Sequence, residues 1–192
     1  EREEELWLRV LVLCVMKYYE ALGLSPALSL DLDDLKKRFY DRSRQWHPDR
    51  FTRASAADQQ HALEMTAVLN DAFRALRDPV ARAEYFLKER GLDTSRNEAP
   101  PELLEEVFEL NMALEELRGG DQLARRQLEQ ARDRFGAILR DTDDELSQLF
   151  TQHDFSPADE TLHKVRATLN RRRYIANLVR DVDKELHVHS AN

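Results

Sequence analysis

The chain has 192 residues, of which 42 % are hydrophobic and 34 % charged, with only 5 Gly and 6 Pro. That composition suits one or two small helix-rich domains and excludes a disordered or all-β chain. A net charge of −8 argues against a general nucleic-acid binder, and a single cysteine, Cys14, excludes an internal disulfide and any CxxC metal or redox site.

The apolar run over residues 6–16 is too short to span a bilayer, is broken by Arg9, and follows an acidic rather than a basic start. Residues 1–17 therefore read as an N-terminal extension that need not be native, with Met16 a sensible native start. From Tyr18 onward helical spacing dominates, and no alternation of apolar and polar residues predicts a strand. Tyr18 to Leu24 reads as a short helix closed by Gly23. Asp31 offers an N-cap, with Asp34 three residues on, for a helix whose stripe is Leu32, Leu35, Phe39, Ser43 and Trp46. Pro48 stops that helix and pushes His47 out of the helical region. Ser55 with Asp58 caps the next helix, which turns Ala62, Thr66, Leu69, Phe73 and Leu76 inward. Asp78-Pro79 starts another, by the N-cap and first-position proline rule, running to Gly91.

Residues 92–101 hold turn formers and a double proline and read as a linker. Three longer amphipathic patterns follow. The first carries Leu103, Val107, Leu110, Leu114 and Leu117 and ends at Gly119-Gly120. The second carries Ala124, Leu128, Ala131, Phe135, Ile138, Leu146 and Leu149. The third opens at Ser156-Pro157 and carries Leu162, Val165, Leu169, Val179, Val182 and Leu186. Joined by short loops, they predict an antiparallel three-helix bundle. Charge divides the chain: residues 18–90 balance 12 basic against 12 acidic side chains, whereas residues 91–192 carry 14 against 21. Two segments of such different electrostatics suggest two different partners.

The tripeptide His47-Pro48-Asp49 sits at the tip of a helical hairpin. A proline-stiffened corner presenting an imidazole and a carboxylate is a docking device rather than an active site. Just before it, Lys36, Lys37, Arg38, Arg42 and Arg44 place five cations within nine residues, with Asp41 the one acid among them. Arg38 and Arg42, at i and i+4, share a face. On the helix over residues 102–118, Leu104, Phe108 and Met112 recur every four residues beside the inward stripe, with Glu105 and Glu109 next to them. They either complete a wide core face or form an apolar strip, rimmed by carboxylates, for a partner. His61, His153 and His163 read as surface or partly packed residues. His187 and His189 supply two ligands at a chain end, too few for a metal site. No nucleophile elbow, phosphate loop or carboxylate cluster points to an enzyme, and no cofactor or metal is expected.

A short leading helix, a basic second helix, His-Pro-Asp in the loop and an antiparallel third helix resemble a J-domain. The opening Tyr18-Tyr19-Glu20-Ala21-Leu22-Gly23-Leu24 and the junction Asn70-Asp71-Ala72-Phe73-Arg74-Ala75-Leu76-Arg77-Asp78-Pro79 are similar to the HscB-type iron–sulfur co-chaperones. So are Arg82-Ala83-Glu84-Tyr85-Phe86-Leu87 and Pro100-Pro101-Glu102-Leu103-Leu104-Glu105. The likeness runs from residue 18 to about 187.

That resemblance implies an all-α protein with a J-domain over 18–91, the linker over 92–101 and a scaffold-binding three-helix domain over 102–189, arranged as an L. It further implies docking of His47, Pro48, Asp49 and the five cations on a dedicated DnaK- or HscA-type chaperone, and stimulation of its ATPase. Leu104, Glu105, Phe108, Glu109 and Met112 would hold an iron–sulfur cluster scaffold protein, although Met112 departs from the polar residue expected there. A cytoplasmic setting is expected, or the mitochondrial matrix for a eukaryotic chain, with neither nucleic acid nor membrane as partner. Two other readings stay open: a J-protein for general unfolded clients, and a helical adaptor with no chaperone role.

Overall fold

The computed structural model describes residues 17–94 and 100–188, the side chain of Gln122 apart. The extension over 1–16, half of the linker (95–99) and His189 lie outside the described residues. Among the described residues every regular element is helical: α1 (Lys17–Leu22), α2 (Leu32–Gln45), a 3₁₀ turn (Pro48–Phe51), α3 (Ala56–Arg77), α4 (Pro79–Glu89), a 3₁₀ turn (Pro101–Leu103), α5 (Leu104–Arg118), α6 (Gln122–Phe155) and α7 (Asp159–Val188). None of the helices is long and apolar enough to cross a membrane.

Local chemistry sets the boundaries. The Asp31 carboxylate accepts the N–H groups of Asp33 and Asp34, Ser55 accepts that of Asp58, and Asp78 accepts that of Ala81, with Pro79 at the first position of α4. Gly23 takes φ +66°, so that its N–H reaches the Glu20 carbonyl and that of Leu24 reaches Tyr19, a left-handed cap that closes α1.

The contacts divide the chain into two compact units. The first takes the described residues up to Asp93 together with Phe150–Pro157 at the end of α6. Here α1 and α2 pack on α3 around buried Tyr19, Leu22, Leu28, Leu35, Leu69, Leu76, Phe86 and Leu87. Stacked pairs Tyr18–Tyr85 (4.5 Å between centroids) and Phe39–Phe73 (4.3 Å) close its sides. Arg82 is buried, its guanidinium donating to the carbonyls of Leu28 and Leu76, both at 2.7 Å. Burial lowers the Arg82 pKa from its ordinary value and raises that of Tyr19, whose hydroxyl donates to the Ala27 carbonyl at 2.7 Å. The Asp154 carboxylate accepts the N–H groups of Leu28 (2.9 Å) and Ser29 (2.6 Å), ordering the loop before α2.

Two expectations need correction. Leu32 is exposed: it occupies the first turn of α2, and the buried stripe begins only at Leu35. His153 is buried rather than surface-lying, its ring meeting Phe86 edge-on at 5.4 Å.

The second unit holds the described residues from Thr94 to Leu149 and from Ala158 onward. Leu103, Val107, Leu110, Ala113, Leu114 and Leu117 interlock with Ala124, Leu128, Ala131 and Phe135 of α6 and with Ile175, Val182 and Leu186 of α7. Three successive arginines on α7 serve this packing. Arg171 pairs with Glu145 at 2.5 Å, Arg172 makes a two-pronged pair with Asp143, and Arg173 donates to the Thr94 carbonyl.

Candidate functional site

The His-Pro-Asp corner is built by the chain on both sides of it. Helix α2 ends at Trp46, whose N–H reaches the Arg42 carbonyl at 3.1 Å. The residue before a proline is driven to extended backbone, and His47 has φ −62° and ψ 128°. Pro48 then begins the 3₁₀ turn, which the Arg50 N–H closes on the His47 carbonyl at 2.9 Å. Beneath it the Trp46 ring stacks on Phe51 (5.9 Å, 3° between planes) and meets His61 edge-on at 5.0 Å. The Thr66 hydroxyl lies 3.0 Å from the Trp46 carbonyl and 2.8 Å from that of Ala62, tying the corner to α3.

On that base the side chains of His47 and Asp49 are 58 % and 86 % exposed. The His47 Nδ1 accepts the Asp49 backbone N–H at 3.3 Å. With Nδ1 an acceptor, the neutral ring carries its proton on Nε2, which is left to donate outward. Next to the ring is a hollow of about 360 Å³ lined by Tyr40, Ser43, Arg44, His47 and Arg50. Tyr40 and Arg50 were not singled out by sequence reasoning. The signal was available for Tyr40: it is a large aromatic side chain that lies off the inward stripe of Leu35 and Phe39.

The five cations of α2 do not act alike. Lys36 and Lys37 are exposed. Arg38 is bound down: its Nε donates to Asp34 at 2.7 Å and its Nη1 to the Gly23 carbonyl at 2.6 Å. Arg42 lies against the same glycine, its guanidinium 3.1 Å from where a Cβ on Gly23 would stand. Arg44 pairs with Asp41 at 2.6 Å. The shared face of Arg38 and Arg42 is thus turned to the end of α1, and Asp34 joins Asp41 as a counter-charge.

In the second unit, Leu104, Phe108 and Met112 are 55 %, 66 % and 49 % exposed, and Glu105 and Glu109 flank them at the surface. They do not complete the core, which α5 fills from its opposite side. A shallow, largely apolar hollow of about 330 Å³ lies between Phe108, Asn111, Met112, Glu115 and Glu116. The row is therefore an exposed apolar strip edged by carboxylates. Among the described residues no His, Cys, Asp and Glu group could hold a metal ion.

Residues 17–85 match the DnaJ domain, and residues 99–183 match the HSCB C-terminal oligomerisation domain. The chain is 31 % identical over 154 residues to a co-chaperone protein HscB homolog of Shewanella loihica, covering 79 % of this chain and 88 % of that protein. It is 34 % identical over 110 residues to the Neisseria meningitidis homolog, where the match takes 56 % of this chain and, at 66 %, just under two thirds of the relative's length. The chaperone HscB of Vibrio cholerae superposes with a TM-score of 0.63 at 27 % identity, over 87 % of this chain and 95 % of that one. With the His-Pro-Asp corner in one unit and an antiparallel helical bundle in the other, the chain belongs to the HscB family of J-domain co-chaperones.

Proposed function

We propose that this protein serves iron–sulfur cluster assembly by bringing a cluster scaffold protein to a DnaK- or HscA-type chaperone and stimulating that chaperone's ATPase. The observation that carries the reading is the presentation of the Asp49 carboxylate beside the His47 ring, both exposed, on a turn stiffened by Pro48 and anchored from below by Trp46 and Thr66. An arginine of the chaperone donating to Asp49 gives a charge-assisted hydrogen bond. Because the corner is already set, little conformational freedom is lost on docking. Lys36 and Lys37 add a field that steers encounter with an acidic surface. Hydrolysis itself is the chaperone's chemistry; this chain supplies position and timing.

The second element of the reading is the strip of Leu104, Phe108 and Met112, with Glu105 and Glu109, as the place where the scaffold binds. Residues 18–91 act as the J-domain, 92–101 as the connection and 102–189 as the scaffold-binding domain, in a cytoplasmic setting. Bridging is tested by capturing fluorescent scaffold on immobilised chaperone in the presence of ATP. The wild-type chain should retain scaffold on the surface, whereas Asp49→Asn and Phe108→Ala should each abolish retention. Retention by both variants at the wild-type level would refute the bridge.

A further inference from the structure

Helix α6 is shared. Its residues up to Leu149 belong to the second unit, whereas Phe150–Pro157, its end and the turn after it, belong to the first. Phe150 and His153, three residues apart on one face, are both buried, and the His153 ring meets Phe86 edge-on at 5.4 Å. That anchorage sets Asp154, whose two carboxylate oxygens accept one N–H each, Oδ1 from Leu28 at 2.9 Å and Oδ2 from Ser29 at 2.6 Å. Leu28 lies 126 residues away in sequence and is buried, so its N–H has no ready substitute in solvent. Two other helices hold the same stretch: Arg82 of α4 donates to the Leu28 carbonyl and Tyr19 of α1 to that of Ala27, each at 2.7 Å. Side chains of three helices thus pin Ala27, Leu28 and Ser29, just before the Asp31 cap that starts α2.

We infer that Asp154 is a positioning residue for chaperone docking: it fixes the start of α2, and with it the direction in which that helix presents its cations and the His47–Asp49 corner. The inference rests on the docking role given to that corner above. The far end of α2 is already held, because the Thr66 hydroxyl reaches the Trp46 carbonyl at 3.0 Å. Two fixed ends define the axis of the helix. Releasing the near end frees its first turns, where Lys36 and Lys37 stand exposed. Docking then costs the freedom that the clamp had already removed, and affinity falls. Arg38 also ties α2 to the Gly23 carbonyl, so loss of the clamp should weaken docking in a graded way rather than abolish it. Charge acts with the opposite sign: removing a carboxylate leaves the first unit more positive, which favours encounter with an acidic surface. Weaker docking by Asp154 variants therefore reports the lost hydrogen bonds. The docking unit includes the end of a helix that begins in the second unit.

The test follows stimulation of the chaperone's ATPase against concentration of the full chain, at a temperature well below each variant's melt. Asp154→Ala removes both acceptors, whereas the near-isosteric Asp154→Asn keeps one oxygen and turns an amide donor toward the other N–H. The concentration giving half-maximal stimulation should rise about fivefold for Asp154→Ala and about twofold for Asp154→Asn, with the maximal rate unchanged. Amide hydrogen exchange at Leu28 and Ser29 should quicken in both folded variants. A residue that only stabilised the fold would lower the melting temperature and leave the half-maximal concentration at the wild-type value. That result, or unchanged exchange at Leu28 and Ser29, overturns the inference. So does a loss of maximal rate at an unchanged half-maximal concentration, which would put Asp154 in the hydrolytic step rather than in docking. Asp49→Asn is measured alongside. If it loses stimulation while the Asp154 variants match wild type, only the role of Asp154 is refuted. If Asp49→Asn stimulates like wild type, the docking role of the corner fails and the inference falls with it.

Discussion

His47 Nδ1 accepts the Asp49 backbone N–H at 3.3 Å, while the Asp49 carboxylate, 3.6 Å from the same nitrogen, makes no hydrogen bond among the described residues. The two side chains therefore divide their work. The ring helps to build the turn, and the carboxylate is wholly available to a partner. Asp49→Asn should leave stability within about 0.5 kcal/mol of wild type, as exposed substitutions do. His47→Ala removes an acceptor and should cost about 0.5–1 kcal/mol. Urea unfolding of the two variants checks the difference in sign and size.

Arg38 and Lys37 are neighbours in sequence with separate duties. Arg38 joins Asp34 to the Gly23 carbonyl, so Arg38→Ala should lower the unfolding free energy by about 1 kcal/mol, a modest figure because the side chain is partly solvated. Lys37→Ala should leave stability alone and slow association with the chaperone by about threefold at low salt, with the difference vanishing as salt rises. Stopped-flow association at two ionic strengths, beside thermal melts, separates the two effects.

On α5, Phe108 and Leu110 are two residues apart and face opposite environments. Leu110 is buried against α6 and α7, and Leu110→Ala should cost about 2–4 kcal/mol. Phe108→Ala should cost less than about 0.5 kcal/mol because the ring is already in water. Denaturant midpoints measured side by side test whether the row is truly external.

Tyr19 gives the first unit an alkaline limit. Burial raises its pKa in the folded chain, whereas an unfolded tyrosine ionises near its ordinary value of about 10. Above that pH the folded state holds a proton that the unfolded state has lost, so stability falls as pH rises, by up to about 1.4 kcal/mol per unit for this one group. Below it the group contributes no slope. Unfolding free energies from pH 9 to 11 should show this decline, and Tyr19→Phe should flatten it.

What the sequence revealed of this molecule was its local grammar. The caps at Asp31, Ser55 and Asp78 and the break at Pro48 are short-range events, complete within a few residues, and they stand where the residues placed them. Helical periodicity gave the inward stripe of α5 for the same reason. Tertiary choices were hidden. Nothing in the run from Lys36 to Arg44 tells that Arg38 and Arg42 are spent on the end of α1. Periodicity cannot distinguish a second buried face from an external row, and for Leu104, Phe108 and Met112 only the tertiary structure, which leaves all three exposed, decides between them. The burial of Arg82 and His153, and the grouping of Phe150–Pro157 with the first unit, depend on residues far apart in the chain.

The central claim is that the exposed His47–Asp49 pair acts on a chaperone's ATPase and that the α5 strip couples the scaffold to it. Single-turnover hydrolysis of ATP by the DnaK- or HscA-type chaperone, with and without scaffold, measures both. Asp49→Asn should remove all stimulation, and Phe108→Ala should keep the scaffold-independent part while losing the added effect of scaffold. Full stimulation by Asp49→Asn at the wild-type concentration would contradict the account at its root.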